Sequence, residues 1–462
     1  MHTGRPTYRR TSALGLVLAV LLVPGAVRAG EAAPVLSSGP TTSIDGSLSL
    51  RYIVRTAASP DGRTDDQDLY ADLRLDVTPA REGLAGFHFL GSARSDLDGN
   101  QESRTFYPFE DIGNTHDRPT MALVYEAYAV FVDPLRTENR ARVGRQAGTR
   151  NETLFFDGIA ADAGGRSVNV TVYSGAVVHF FEDGSHWGKD WLSGAGLDYR
   201  FGPSLGLSAD YLIIKDVQES EPGAPVLWDR LVSFRGWQQV GTFSKWSAAY
   251  RVQDGEPRDM TLQAVAASPA WDLEGSISYF RQFRVQDVMT TDLSLFPTVL
   301  GQSAPYQSAD LKVRKTFFER FALDLGYFSR TLLHPQDEGP FNKDWSRAYA
   351  SLDIADLFVP RLTWTITAEQ WGGGTTDSTT YGTDLAWRVR RKGGDARIAV
   401  GTYYSLYKYD YYTDLGVRDE VRTWYLDGKY PLGKGFSLNG RYEHERAIET
   451  YQVLRLGMRY DF

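Results

Sequence analysis

The sequence predicts an all-β protein, a single transmembrane antiparallel β-barrel of about 22 strands (20–22) with short periplasmic turns and longer extracellular loops. Three observations carry this reading: a period-two alternation of apolar and polar residues, an alternation of short turns with long connections, and the lack of any later apolar run long enough for a helical span. The 462 residues are 42% hydrophobic and 13% aromatic, too apolar for a disordered chain. The absence of cysteine excludes disulfides, thiolate metal sites, c-type haem attachment and cysteine nucleophiles. A formal charge of −8 argues against nucleic-acid binding, whose affinity comes mainly from neutralised phosphates.

Residues 1–29 read as a cleaved signal peptide. Arg5, Arg9 and Arg10 form a positive n-region, the apolar run from Ala13 to Val23 is too short to span a bilayer, and Val27-Arg28-Ala29 places small residues at −3 and −1. Removing four arginines and no acid takes the charge from −8 to −12. Residues 30–43 then form a short periplasmic segment, and residues 44–462 the barrel, with its first strand near Ile44.

Along the chain, side chains sort into two faces. Near the C-terminus Leu454, Leu456, Met458, Tyr460 and Phe462 alternate with Val453, Arg455, Gly457, Arg459 and Asp461. The same pattern places Leu69, Ala71, Leu73, Leu75 and Val77 against Asp68, Tyr70, Asp72, Arg74 and Asp76. It recurs at Leu362/Trp364/Ile366/Ala368 and at Ala348/Ala350/Leu352/Ile354. A strand puts successive side chains on opposite sides, so each segment presents one apolar and one polar face. Helical spacing would scatter the apolar residues.

Gly- and Pro-rich turns occur at 78–83, 201–204, 267–270, 391–395 and 431–435. Between them come polar stretches at about 96–120, 217–227, 285–305, 332–344 and 409–418. Short and long connections alternate, as a barrel with both termini on one side requires. Tyr and Trp gather at strand ends, at Trp187/Trp191, Tyr403/Tyr404, Tyr407, Tyr409, Tyr411/Tyr412 and Trp424/Tyr425, which suits interfacial aromatic girdles. A soluble propeller would repeat a motif at fixed period, and none is present.

With these features, and with Tyr460-Asp461-Phe462 at the terminus, the chain resembles a Gram-negative outer-membrane β-barrel of the porin type. The resemblance implies that Tyr460 and Phe462 belong to the aromatic signal read by the barrel-insertion machinery, and that the protein is integral to the bacterial outer membrane. Val143-Gly144-Arg145-Gln146 followed by Phe156-Asp157-Gly158 is similar to the strand and folded loop of porins in the alginate-export and substrate-specific families.

If the apolar faces meet lipid, the opposite faces line the lumen. The expected pore-lining set is Asp72, Arg74, Asp76, Arg140, Arg142, Asp310, Lys312, Arg314, Asp384, Arg388, Arg390, Asn439, Arg441, Glu443, Arg455 and Arg459. Both signs occur, often two residues apart, so the wall either orients polar solutes or neutralises itself in ladders. Barrels of about 16 to 18 strands already leave an aqueous channel, and the segment before Ile44 is too short for a plug domain. The bore is therefore expected to be narrowed by loops folded inward, with 96–120 and 147–152 as candidates, or filled by another protein.

The leading functional expectation is passive diffusion of small polar or charged solutes through a porin-type channel. The alternative is a sheath around a partner, such as a periplasmic or lumen-threaded multihaem cytochrome in a trans-outer-membrane electron conduit. The expected surroundings are outer-membrane lipid and lipopolysaccharide. No catalytic residue, metal site or cofactor is assigned. His179, Glu182, Asp183 and His186 read as a solvated loop, and Asp96-Leu97-Asp98-Gly99-Asn100-Gln101-Glu102 lacks the full ligand spacing of a calcium loop.

Overall fold

In the computed structural model the described residues are 42–59, 62–79, 85–98, 119–133, 139–148, 154–178, 180, 190–217, 226–285, 304–339, 342–373, 377–391, 394–404, 422–446 and 450–462. The signal segment and nearly all of 30–43 lie outside them. The described residues form twenty-two strands. The first eleven are β1 (Ser43–Ser59), β2 (Gly62–Thr78), β3 (Gly86–Asp96), β4 (Thr120–Val132), β5 (Arg140–Ala147), β6 (Phe155–Gly164), β7 (Val168–Val177), β8 (Trp191–Phe201), β9 (Leu205–Val217), β10 (Val226–Val240) and β11 (Ser244–Gln253). The others are β12 (Glu256–Ser268), β13 (Leu273–Gln282), β14 (Tyr306–Phe317), β15 (Phe321–Leu332), β16 (Trp345–Ala355), β17 (Leu362–Gly372), β18 (Ser378–Arg391), β19 (Gly394–Tyr404), β20 (Arg422–Gly433), β21 (Phe436–Arg446) and β22 (Thr450–Asp461).

Each strand pairs antiparallel with the next. Pairing of β1 with β22, from Ser47↔Asp461 to Ala58↔Thr450, closes the ring. Closure gives the first and last strands partners on both sides and removes the free edges of an open sheet. The seam is extended by Gly46 and Phe462, whose backbones exchange two hydrogen bonds of 2.9 and 3.1 Å. The ring of Tyr460 stacks on that of Phe436 at 4.3 Å, and the Phe462 ring lies tilted against Tyr460 at 5.6 Å.

Register carries the two faces around the ring. Leu48, Leu50 and Tyr52 stand beside Leu73, Ala71 and Leu69 on one flank and Tyr460, Met458 and Leu456 on the other. Ile159, Val172, Leu207, Phe234, Trp246, Ile277, Leu311, Leu325, Ile398 and Leu456 are exposed on this outer wall. So continuous an apolar surface is unstable in water and stable in hydrocarbon. Among the described residues no helix is long and apolar enough to cross a membrane. In lipid every backbone polar group needs an internal partner, and a closed barrel provides them. The molecule is therefore a transmembrane β-barrel. Strands β1 and β2 have 17 residues each, about 55 Å at the usual rise, against an apolar band of about 25 Å. Their hairpin projects beyond the membrane, where Arg55 bridges Asp66 and Asp68 at 2.6 Å each.

At the end that carries the termini, all connections between strands are brief, as at 202–204, 241–243 and 318–320. The opposite end, the extracellular one in the sequence reading, carries the long ones, including 97–119 and 283–305. The asymmetry is less uniform than the sequence suggests. The β11–β12 connection at this end is only Asp254-Gly255, both at positive φ (54° and 86°), the conformation that a two-residue hairpin turn requires and that Asp-Gly supplies. The stretches 407–412 and 181–189 lie outside the described residues.

Candidate functional site

The inner wall is the face opposite the lipid-facing residues, and register places every member of the expected pore-lining set on it. On β2, Asp72, Arg74 and Asp76 alternate with the outward Leu73 and Leu75. Asp310, Lys312 and Arg314 alternate with the outward Leu311, and Asp384, Arg388 and Arg390 with Leu385, Trp387 and Val389. Asn439, Arg441 and Glu443 share the inner side with Arg455 and Arg459 through the β21–β22 ladder.

Most of these charges are paired, either across strands or with the residue two positions along the same strand. Arg51 and Ser49 each contact Asp72 at 3.2 Å. Arg74 reaches Asp76 at 2.9 Å, and the other Asp76 oxygen meets His88 Nδ1 at 2.5 Å, while His88 Nε2 lies 3.1 Å from Glu126. Arg140 and Arg142 share Asp162 at 2.8 and 3.7 Å. Lys312 pairs with Asp310, and Arg314 spans Asp324 and Asp353 at 2.7 and 3.0 Å. Arg441 and Arg455 converge on Glu443, Arg459 pairs with Asp461, and Tyr425 donates to Asp384. Arg388 and Arg390 are exposed and make no side-chain bond or ion pair among the described residues. They occupy the periplasmic half of the wall, with Lys429 two strands away.

Sequence reading missed several inner residues: Arg51, Arg55, His88, Glu126, Asp162, Asp324, Arg347, Asp353, Glu369, Arg397 and Asp427. Arg347, Asp353 and Glu369 fall on the polar sides of the alternating runs at 348–354 and 362–368, whereas the others lie on strands outside those runs. Glu126 sits beside a bulge at Leu90/Gly91, which shifts the β3–β4 register and interrupts the alternation of β4. The girdle reading is corrected at Tyr403 and Tyr425. Both are on the inner wall, where Tyr403 donates to Glu443 at 3.1 Å and the two rings lie 5.9 Å apart. Their neighbour Trp424 faces out, 53% exposed. A cluster of aromatics in sequence does not fix which of two adjacent residues points outward.

At one sector the wall does not stay two-faced. The β4–β5 ladder stops at Ala127↔Arg145, although β4 continues upward to Thr120 beside β3. The β7–β8 ladder stops at Gly175↔Leu192. Above this level β5, β6 and β7 pair only with one another, as in Gln146↔Phe156 and Phe156↔Val177. Gly144, Gly158 and Gly175 face each other across the three strands at the point of departure. A Cβ on Gly144 would strike the Ala127 carbonyl, one on Gly158 the Ser174 carbonyl, and one on Gly175 the Asp157 carbonyl. Gly144 also has φ of +128°, which side-chain-bearing residues rarely adopt.

Beyond the glycines both faces of the three strands are covered. Gln146, Phe156 and Val177 are buried on one side, and Ala176 is buried on the other. Leaning outward would expose one face to lipid, so the strand ends lean into the lumen as a tongue. Leu154, Phe156 and Val177 form one apolar cluster with the inner-wall residues Tyr173, Leu192, Leu212, Ile214 and Leu231. Arg145 locks the tongue through a two-pronged bond to Asp157, 2.7 Å on each arm, and a third bond to the Val124 carbonyl at 3.1 Å. Phe155 packs against Tyr125 and Phe180. The tongue includes the short motifs at 143–146 and 156–158 and the flanks of the expected inward loop at 147–152, whose residues 149–152 lie outside the described chain, as do 99–118.

Among the described residues no group of three or more His, Asp or Glu side chains is placed to hold a metal ion. His179, Glu182, Asp183 and His186 fall outside the described residues. Asp96 closes β3 rather than opening a loop, and its carboxylate accepts the Asp98 amide at 3.1 Å while Asp98 accepts the Gln67 amide at 3.1 Å.

No protein-family profile and no curated protein sequence matches the chain. Among solved structures it is similar to a BenF-like porin from Pseudomonas fluorescens Pf-5, at 11% identity and TM-score 0.44 over 91% of this chain and 98% of that one. OccK8 (OprE) of Pseudomonas aeruginosa matches at 11% identity and TM-score 0.41, covering 91% and 98%. Acinetobacter baumannii OccAB1 matches at 13% identity and TM-score 0.40, covering 92% and 98%. By its own closure, outward apolar wall and polar bore, the chain is an integral transmembrane β-barrel.

Proposed function

We propose that the barrel is a channel for passive diffusion of small polar or charged solutes, narrowed from within by the β5–β7 tongue. The observation that carries this reading is the apolar cluster joining the tongue to the inner wall of β8–β10, which seats the chain's own strands against the inside of a bore lined elsewhere by charge. Below the tongue, paired acids and bases present both signs to a passing solute. Such a wall lets a polar molecule exchange water for side-chain contacts without a deep well at any one place. Arg388, Arg390 and Lys429 add unpaired positive charge on the periplasmic side, which favours anions there.

Purified protein in a planar bilayer tests this directly. Discrete conductance steps are expected, with reversal potentials shifted toward anions. Replacing Arg388 and Arg390 by Gln is expected to move the reversal potential toward cations without changing step size by more than about twofold. A protein that inserts yet gives no steps contradicts the channel reading.

A further inference from the structure

On the inner wall most cations have an acid within reach, whereas Lys215 and Arg230 on the outer wall have none among the described residues. Lys215 and Arg230 lie near the extracellular ends of β9 and β10. Lys215 stands level with Trp191 on β8 and Trp228 on β10. Arg230 pairs with Ile213, so it is the diagonal neighbour of Lys215, within about 8 Å on one face. The face is the lipid side, because Tyr211, Phe234 and Trp228 share its parity and are exposed there. Neither cation makes a side-chain hydrogen bond or ion pair among the described residues. The nearest acid on the adjoining turn, Asp254, uses its carboxylate on the Arg230 backbone amide at 2.9 Å.

The two tryptophan rings approach edge to face at 5.8 Å, across the strand that bears Lys215. Tryptophan at this level marks the boundary between acyl chains and headgroups. An ammonium and a guanidinium with no acid beside them among the described residues are costly next to hydrocarbon unless an anion neutralises them. Both point away from the lumen, so a permeating solute does not reach them.

We infer that Lys215 and Arg230 form a site on the outer wall for the phosphorylated headgroup of an outer-leaflet lipid. Its phosphate sits between the two cations, the planar guanidinium matching two phosphate oxygens. Its sugar or glycerol lies over the Trp191–Trp228 pair, and its chains run down Tyr211 and Phe234. Arg281 on β13, over the Phe283 ring at 5.1 Å, continues the basic rim on the same wall. The inference rests on the lipid-facing assignment of this wall and is independent of what passes through the lumen.

The test is native mass spectrometry of the intact detergent-purified barrel titrated with lipid A, a bisphosphorylated glycolipid, and with its dephosphorylated form. Wild type is expected to retain the phosphorylated form and lose the other. Lys215→Gln with Arg230→Gln is expected to weaken retention roughly tenfold or more, whereas Arg388→Gln with Arg390→Gln on the inner wall leaves it unchanged. Heat-modifiable gel mobility confirms that each variant is a folded barrel. Equal retention by the outer-wall variant, or equal retention of the dephosphorylated lipid, overturns the proposal.

Discussion

Single residues decide where this barrel departs from a plain ring. Gly158 leaves no space for a side chain, since the Ser174 carbonyl and the Gly175 Cα occupy it. Gly158→Val is expected to force the tongue off its seat while sparing the ladders below, read as a loss of the wild-type conductance level with heat-modifiable mobility retained. Arg145 and Asp157 occupy positions that strict alternation would send into lipid, an expensive place for charge. The bend at the glycines removes them from it. Arg145→Leu strands the Asp157 carboxylate among buried neighbours and is expected to cost about 3 kcal/mol in urea unfolding from detergent micelles. Arg51→Gln, which breaks a contact with an Arg side chain half exposed to the lumen, is expected to cost under about 1 kcal/mol. Equal costs for the two would contradict the burial assigned to the tongue.

At the level of elements, the tongue is held by a small core of its own rather than by the barrel's hydrogen-bonded ladders. Phe156 on the tongue and Leu231 on the neighbouring wall are almost fully buried in it. Phe156→Ala is expected to cost about 3–5 kcal/mol and to raise single-channel conductance, because the same contacts that stabilise the tongue keep it across the lumen. A stability loss with unchanged conductance would place the tongue elsewhere. The strands themselves were legible in the sequence because a period of two survives in residues such as Leu69–Val77 and Leu454–Phe462, whatever the detail of packing. The motifs at 143–146 and 156–158 pointed to the right sector, yet the glycine lane that bends it depends on Gly144, Gly158 and Gly175 meeting side by side, a juxtaposition set by register. Tyr403 and Tyr425 were misread for the related reason that aromatic clustering carries no parity. The Asp254-Gly255 turn shows that turn chemistry can close a hairpin tightly even at the end that carries the long connections.

On the scale of the whole molecule, closure and two-sidedness are one physical fact. Each strand lends one face to hydrocarbon and the other to a polar bore, so the same substitution has opposite consequences one residue apart. Leu456→Arg on the outer wall is expected to destabilise the barrel by about 2–4 kcal/mol in lipid. Asn439→Arg, on the inner side of the neighbouring strand, is expected to be nearly neutral in the same unfolding assay. The paired charges of the inner wall explain why a lumen rich in Arg and Asp is stable: Arg314 between Asp324 and Asp353, and Glu443 between Arg441 and Arg455, leave little net field to repel itself. The absence of native cysteine makes a direct test of this arrangement available. Single substitutions Asn439→Cys and Leu438→Cys, one residue apart on β21, are reconstituted in vesicles and exposed to a membrane-impermeant maleimide. Rapid labelling at position 439 and protection at 438 is the predicted result; rapid labelling at 438 with protection at 439 would contradict a barrel with lipid outside and water within.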